Sequence, residues 1–174
     1  MALGIRFPIL QIVGYQNSGK TTLVEKIVQK GSEEGYKIAT LKHHGHHTIL
    51  DTVTYNKDSV RHRKAGAIVS VVEGGGSLQL EASTNDWKLE KLLQLYNYFE
   101  HDMILVEGYK TENYPKIVLI RSKSDIELLT CVTNIVGVVS WIPIETTYAL
   151  FPINEDAEVL KWLFRSSEVN DEPK

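Results

Sequence analysis

The 174-residue chain is 43% hydrophobic and 24% charged, enough for one packed domain with a sizeable core. Its net charge of −3 argues against a generic nucleic-acid or membrane-surface binder, so any anion site has to be built locally. The single cysteine, Cys131, excludes an intramolecular disulfide and reads, beside Val132, as a buried thiol. Residues 1–10 have the apolar core of neither a signal peptide nor a membrane span, and the expectation is a soluble, cytoplasmic protein.

The first motif, Gly14-Tyr15-Gln16-Asn17-Ser18-Gly19-Lys20-Thr21, fits G-x-x-x-x-G-K-[ST]. It follows the apolar run 8–13 and precedes the helical pattern 22–28, which is strand, glycine loop, helix. Glycines let the backbone approach phosphate oxygens, and successive N–H groups at a helix start favour an anion. The Lys20 ammonium reaches the outer phosphates, and Thr21 offers its hydroxyl to Mg²⁺. Gly31 and Gly35 are expected to close the helix, and residues 36–42 read as a second strand.

That strand ends in His43, His44, His46 and His47 around Gly45, followed by a loop without periodicity. Three readings stay open for the histidines: phosphate or substrate recognition, a transition-metal site, and a solvated loop. Lys42 beside them, with Arg61 and Arg63 further on, fits an anion pocket. Residues 56–66 read as a helix from Ser59 with Asp58 as N-cap. Residues 67–72 and 77–81, joined by Gly74-Gly75-Gly76, read as a hairpin at a sheet edge. From Asp86 to Phe99, Trp87, Leu89, Leu92, Leu93, Leu95, Tyr96 and Phe99 recur with helical spacing as a core-facing stripe.

Met103-Ile104-Leu105-Val106 is a short buried strand that delivers Glu107 to the sheet edge carrying Gly14, which makes Glu107 a metal-site candidate. Residues 116–120 and 135–139 are the last clear strands, and 154–164 an amphipathic helix after Pro152. Between them, Ser122-Lys123-Ser124-Asp125 has two readings. Lys123 and Asp125 either hold a guanine base, the carboxylate accepting from its N1–H and amine, or Asp125 caps a short helix. The strand–helix alternation gives an α/β fold: a mostly parallel sheet flanked by helices, of the P-loop NTPase type, with an antiparallel hairpin. A single domain over 1–165 and a disordered tail over 166–174 are expected.

Taken together, these residues resemble the molybdopterin-guanine dinucleotide biosynthesis protein B (MobB) family. The resemblance rests on Gly14 to Thr22, on Leu41 to His47, on Lys57-Asp58-Ser59 with Arg61-His62-Arg63 and Ala65-Gly66-Ala67, and on Leu105 to Lys110 followed by Pro115-Lys116-Ile117. It implies a homodimeric GTP-binding protein with weak Mg²⁺-dependent GTPase activity that assists the enzyme attaching GMP to molybdopterin. Gly14, Asn17 and Ser18 are phosphate-binding candidates from the loop motif, and the resemblance, carried onto this chain, implies that Gly19, Lys20, Thr21 and Thr22 hold phosphate and Mg²⁺. Thr21 and Glu107 face the metal, Lys20 and Glu107 serve turnover, and Lys42, His43, Asp58, Ser59 and Arg61 line the adjoining pocket. The family usually has an acidic residue amid its histidine motif, where this chain has Gly45. A nickel-insertion GTPase, a small-molecule kinase and a non-catalytic nucleotide-dependent adaptor are the alternatives.

Overall fold

A computed structural model describes residues 7–44, 57–84 and 86–164. His46, His47 and the tail from 166 onward lie outside the described residues. The chain divides into two compact units, with boundaries between residues 45 and 46 and between 93 and 94.

The first unit is built on six parallel strands: β1 (Ile9–Val13), β2 (Ile38–Lys42), β5 (Met103–Glu107), β6 (Lys116–Ile120), β7 (Ile135–Ser140) and β8 (Ala149–Pro152). Their spatial order is β2-β5-β1-β6-β7-β8. β5 and β6 are buried at every position, as continuous apolar runs require when both faces of a parallel sheet are covered. Alternate side chains feed the two faces. Leu10 and Ile12 of β1 join Leu105, Ile117 and Leu119 in one core cluster with Leu23 and Ile27 of α1 (Lys20–Glu33) and Val159 and Leu163 of α5 (Asp156–Leu163). Val13 joins Val118, Ile120 and Val138 on the other face. Leu128 of the one-turn α4 (Leu128–Cys131) covers that cluster.

α1 runs through Gly31, contrary to the expectation that this glycine closes it, and Gly35 with its φ of 85° follows the end. Gly31 serves packing instead, since a Cβ there would stand 2.1 Å from Ile38 Cδ1. Lys116 is fully buried, and its ammonium donates to the carbonyls of Glu112, Tyr114 and Thr133 at 2.8, 3.0 and 2.6 Å. β8 was not anticipated; it is four residues long and ends in Pro152. Cys131 is exposed rather than buried, because α4 inserts Leu128 and leaves its last residue at the surface.

The second unit contains α2 (Lys57–Lys64) and the antiparallel strands β3 (Val69–Gly74) and β4 (Ser77–Ala82). The hairpin forms its own two-stranded sheet and is not an edge of the parallel one. Arg63 ties the unit together, pairing with Glu81 at 3.1 Å and donating to the Glu81 carbonyl and the Ser83 hydroxyl at 3.2 and 2.7 Å. α2 begins one residue before Asp58, so Asp58 lies in the first turn and not at the N-cap. α3 (Leu89–Tyr96) is shorter than the apolar spacing suggests and passes across the boundary between the units. Leu89 is buried, but Trp87 before the helix and Leu95 within it are exposed, and Phe99 is exposed where the chain beyond Tyr96 leaves the helix through turns.

Candidate functional site

Parallel register brings three strand ends to one edge. Ile12 of β1 and Lys42 of β2 both stand opposite Glu107 of β5, so the chain emerging from β1 meets an acid and a lysine at once. The loop after β1 is shaped by two left-handed residues, Asn17 with φ 59° and Gly19 with φ 98°. Gly19 is also the N-cap of α1, and no side chain caps the helix there, so its first amides keep their capacity for an external anion. Gly14 is needed for a different reason: a Cβ would lie 2.5 Å from Ser18 Oγ and 3.1 Å from the Leu119 carbonyl.

Thr21, on the first turn of α1, donates its hydroxyl to Glu107 at 3.0 Å to Oε1 and 3.1 Å to Oε2. Glu107 is only 8% exposed. Lys42 Nζ lies 3.3 Å from Glu107 Oε1 and donates to Thr21 Oγ1 at 3.2 Å. Lys20 donates to the Tyr15 carbonyl at 2.7 Å. Burial lowers the Lys20 pKa from its usual value, Lys110 and Lys42 push the same way, and Glu107 opposes them. Lys42 pairs with the Glu107 carboxylate and Lys20 feels its charge, while Lys110 adds a third positive charge near Lys20, a local concentration of cations in a chain of negative net charge. A hydroxyl and a carboxylate at hydrogen-bond distance are hard oxygen donors that fit Mg²⁺ shared with a phosphate, and Thr21 and Glu107 are the residues that would hold it.

His43 follows directly: its N–H donates to the Glu107 carbonyl at 2.9 Å, and its ring lies against Tyr109 with centroids 4.2 Å apart. Tyr109 and Gly108 are themselves held by Gln11, whose Nε2 donates to their carbonyls at 2.7 and 3.1 Å. Among the described residues no three His, Cys, Asp or Glu side chains gather as a metal site. Asp58, Ser59 and Arg61 belong to the second unit, where the exposed pair Asp58–Arg61 spans 3.6 Å.

Beyond β6, the neighbour of β1 on its other side, Asp125 is engaged by its own turn. Its carboxylate accepts from the N–H groups of Arg121 and Ser122 at 2.8 and 3.1 Å, and from the hydroxyls of Ser122 and Ser124 at 2.9 and 3.4 Å. Lys123 opens the short 3-10 helix Lys123–Glu127 that these bonds cap. Of the two readings of this motif, capping is the one the geometry displays.

Two residues that the sequence did not single out brace the loop. Arg121 Nη1 donates to the Asn17 carbonyl at 2.9 Å, and Trp141 Nε1 donates to the Ser18 carbonyl at 3.0 Å. Tyr15 is fastened as well, its hydroxyl donating to Glu127 at 2.5 Å while Lys110 stands 4.6 Å over its ring. The weak available signal was position: each bracing residue follows a buried strand directly, where side chains reach the loops at the carboxyl edge.

A parallel sheet with a glycine loop running into its first helix, and an acid at the end of the neighbouring strand, define a fold of the P-loop NTPase type. The chain belongs to the molybdopterin guanine dinucleotide synthesis protein B family, whose family model matches residues 9–141. It is 49% identical over 139 residues to the probable molybdopterin-guanine dinucleotide biosynthesis adapter protein of Bacillus subtilis (strain 168), covering 80% of this chain and 79% of that protein. The adapter protein of Escherichia coli (strain K12) is 32% identical over 160 residues, with 89% and 90% covered. The crystal structure of a MobB homolog from Bacillus stearothermophilus superposes with a TM-score of 0.75 at 38% identity, over 91% of this chain and 96% of that one. No helix among the described residues is long and apolar enough to cross a membrane.

Proposed function

We propose that this chain binds Mg²⁺ and GTP at the Gly14–Thr22 loop and acts as a cytoplasmic adapter in molybdopterin-guanine dinucleotide biosynthesis, assisting the guanylyltransferase that attaches GMP to molybdopterin. The observation that carries the reading is the meeting of Thr21 with Glu107 beside an uncapped helix start and the Lys20 ammonium. Bound Mg²⁺ would supply charge neutralisation between the outer phosphates. The adapter role draws on the printed names of the relatives, and the guanine preference on the family resemblance, because Asp125 is engaged in its own turn.

Slow turnover is the expected behaviour. Arg63, a candidate in cis for neutralising charge in the transition state, is committed to Glu81 and Ser83, and Arg61 pairs with Asp58. A partner or a second copy is then the source of the missing group. Dimerisation is supported by the hairpin of the second unit. Val69, Val71, Leu78, Leu80 and Ala82 share one face by register, and the first four are exposed by about half. An isolated two-stranded sheet is marginal in water, so covering that face with a second copy gains apolar burial where the fold most needs it.

Titration calorimetry of GTP and of ATP with Mg²⁺ tests the reading. The parent is expected to bind GTP more tightly, and Lys20→Ala to weaken binding roughly tenfold to a hundredfold through loss of charge-assisted hydrogen bonds. Parental affinity in Lys20→Ala would sink the phosphate assignment, and equal affinity for the two nucleotides would remove the guanine preference.

A further inference from the structure

A cavity of about 300 Å³ opens where the first turns of α1 meet the ends of β7 and β8, at the low end of the range for small-molecule sites. Leu23, Val139 and Val159, all nearly inaccessible, form its floor. Gly19, Thr22 and Trp141 stand on its rim. Two of these, Gly19 and Thr22, belong to the phosphate loop itself, so a phosphate chain seated in the loop is continuous with the cavity. Trp141 is 50% exposed although its indole N–H is fixed to the Ser18 carbonyl, which leaves an oriented aromatic surface next to an apolar floor.

We infer that this cavity receives the purine base of the nucleotide whose phosphates occupy the loop, with Trp141 as the stacking surface, and that the Ser122–Asp125 turn is not the base site. The inference rests on the phosphate reading proposed above. A flat heterocycle matches the site because its faces need apolar contact while its edge needs few polar partners. Asn154 also lines the cavity, and its amide offers both a donor and an acceptor to a base edge. The Asp125 carboxylate, by contrast, already accepts four hydrogen bonds from its own turn, and a base there would have to displace them.

The test compares affinities for Mg²⁺ with GTP and for Mg²⁺ with inorganic tripolyphosphate, in the parent and in three variants. In the parent the base should raise affinity about tenfold or more over tripolyphosphate, the scale of one aromatic stack. Trp141→Ala should bring that ratio close to one, whereas Trp141→Phe, which also loses the bond to Ser18 but keeps a ring, should retain most of it. Ile153→Trp, which fills the cavity without touching the loop, should lower the ratio as well and serves if Trp141→Ala does not fold. Equal affinities in the parent, or a ratio that survives both Trp141→Ala and Ile153→Trp, would overturn the inference and leave the phosphate site standing. Failure of the parent to bind either ligand would remove both readings. A free pterin that competes with GTP but not with tripolyphosphate in the parent, and loses that competition in Ile153→Trp, would show that the cavity serves a different occupant and overturn the assignment to the base.

Discussion

Asp125 shows how much work one short turn can ask of a side chain. Burial pushes its carboxyl up, but the N–H groups of Arg121 and Ser122 and the hydroxyls of Ser122 and Ser124 together reverse this, and its pKa is held below the usual aspartate value. A depressed folded-state pKa contributes stability that is fully present above the unfolded value and lost as pH falls through the folded one. Asp125→Asn replaces an acceptor with an amide N–H₂ facing backbone donors, and should cost about 1–3 kcal/mol at neutral pH. Urea denaturation of both proteins should show the gap narrowing below about pH 4, and a gap independent of pH would refute the account. Lys20 titrates in the opposite sense. Its pKa is lowered by burial and by Lys110 and Lys42, against Glu107, and its charged form is the one that holds phosphate. Tripolyphosphate affinity should therefore persist at neutral pH and fall as pH rises, beginning below the range of an ordinary lysine. A profile unchanged by Lys20→Ala would contradict this. Glu107 was legible in the sequence because a short apolar run ends in a single acid. Arg121 and Trp141 were not, since nothing in their own surroundings marks which carbonyl of a distant loop they will reach.

Between elements, contact distance decides what each segment tolerates. α1 lies so close to β2 and the end of α5 that a Cβ on Gly31 would approach Ile38 Cδ1 to 2.1 Å and Phe164 Cζ to 3.1 Å. Gly31→Ala gains helix propensity but overpacks this seam, and the net loss should be about 1 kcal/mol. Ile38→Val removes the clashing Cδ1, so the double variant should recover most of that loss in a thermal-unfolding cycle. Additive losses would place the strain elsewhere. The same seam explains where element reading from sequence succeeds and fails. Buried parallel strands such as β5 and β6 stand out because both faces are apolar. β8 does not, being four residues ending in proline and paired along a single edge with β7. Glycine in a helix reads as a stop until the neighbouring element that requires its smallness is known. The hairpin was readable from Gly74-Gly75-Gly76 and alternating side chains, but its independence from the parallel sheet depends on pairing that no local signal encodes.

For the molecule as a whole, the hairpin face is the feature with the largest expected effect on association. Val71 and Leu80 stand opposite one another at its centre, exposed by 52% and 51%. Replacing both with lysine puts like charges across the strand pair and removes its apolar centre. The parent should sediment as a dimer and the double variant as a monomer; a monomeric parent, or a dimer that survives the change, would dismiss this face as the interface. The order of the parallel sheet bears on a different matter, the birth of the protein on the ribosome. β1 carries the glycine loop near the start of the chain, yet it is flanked by β5 and β6, and Gln11 is held to Gly108, 97 residues later. The loop sequence is therefore synthesised well before the strands that support it. Until residues 103–120 have been made, the neighbours of β1 do not exist, and a nascent chain has no assembled pocket in which to hold a nucleotide.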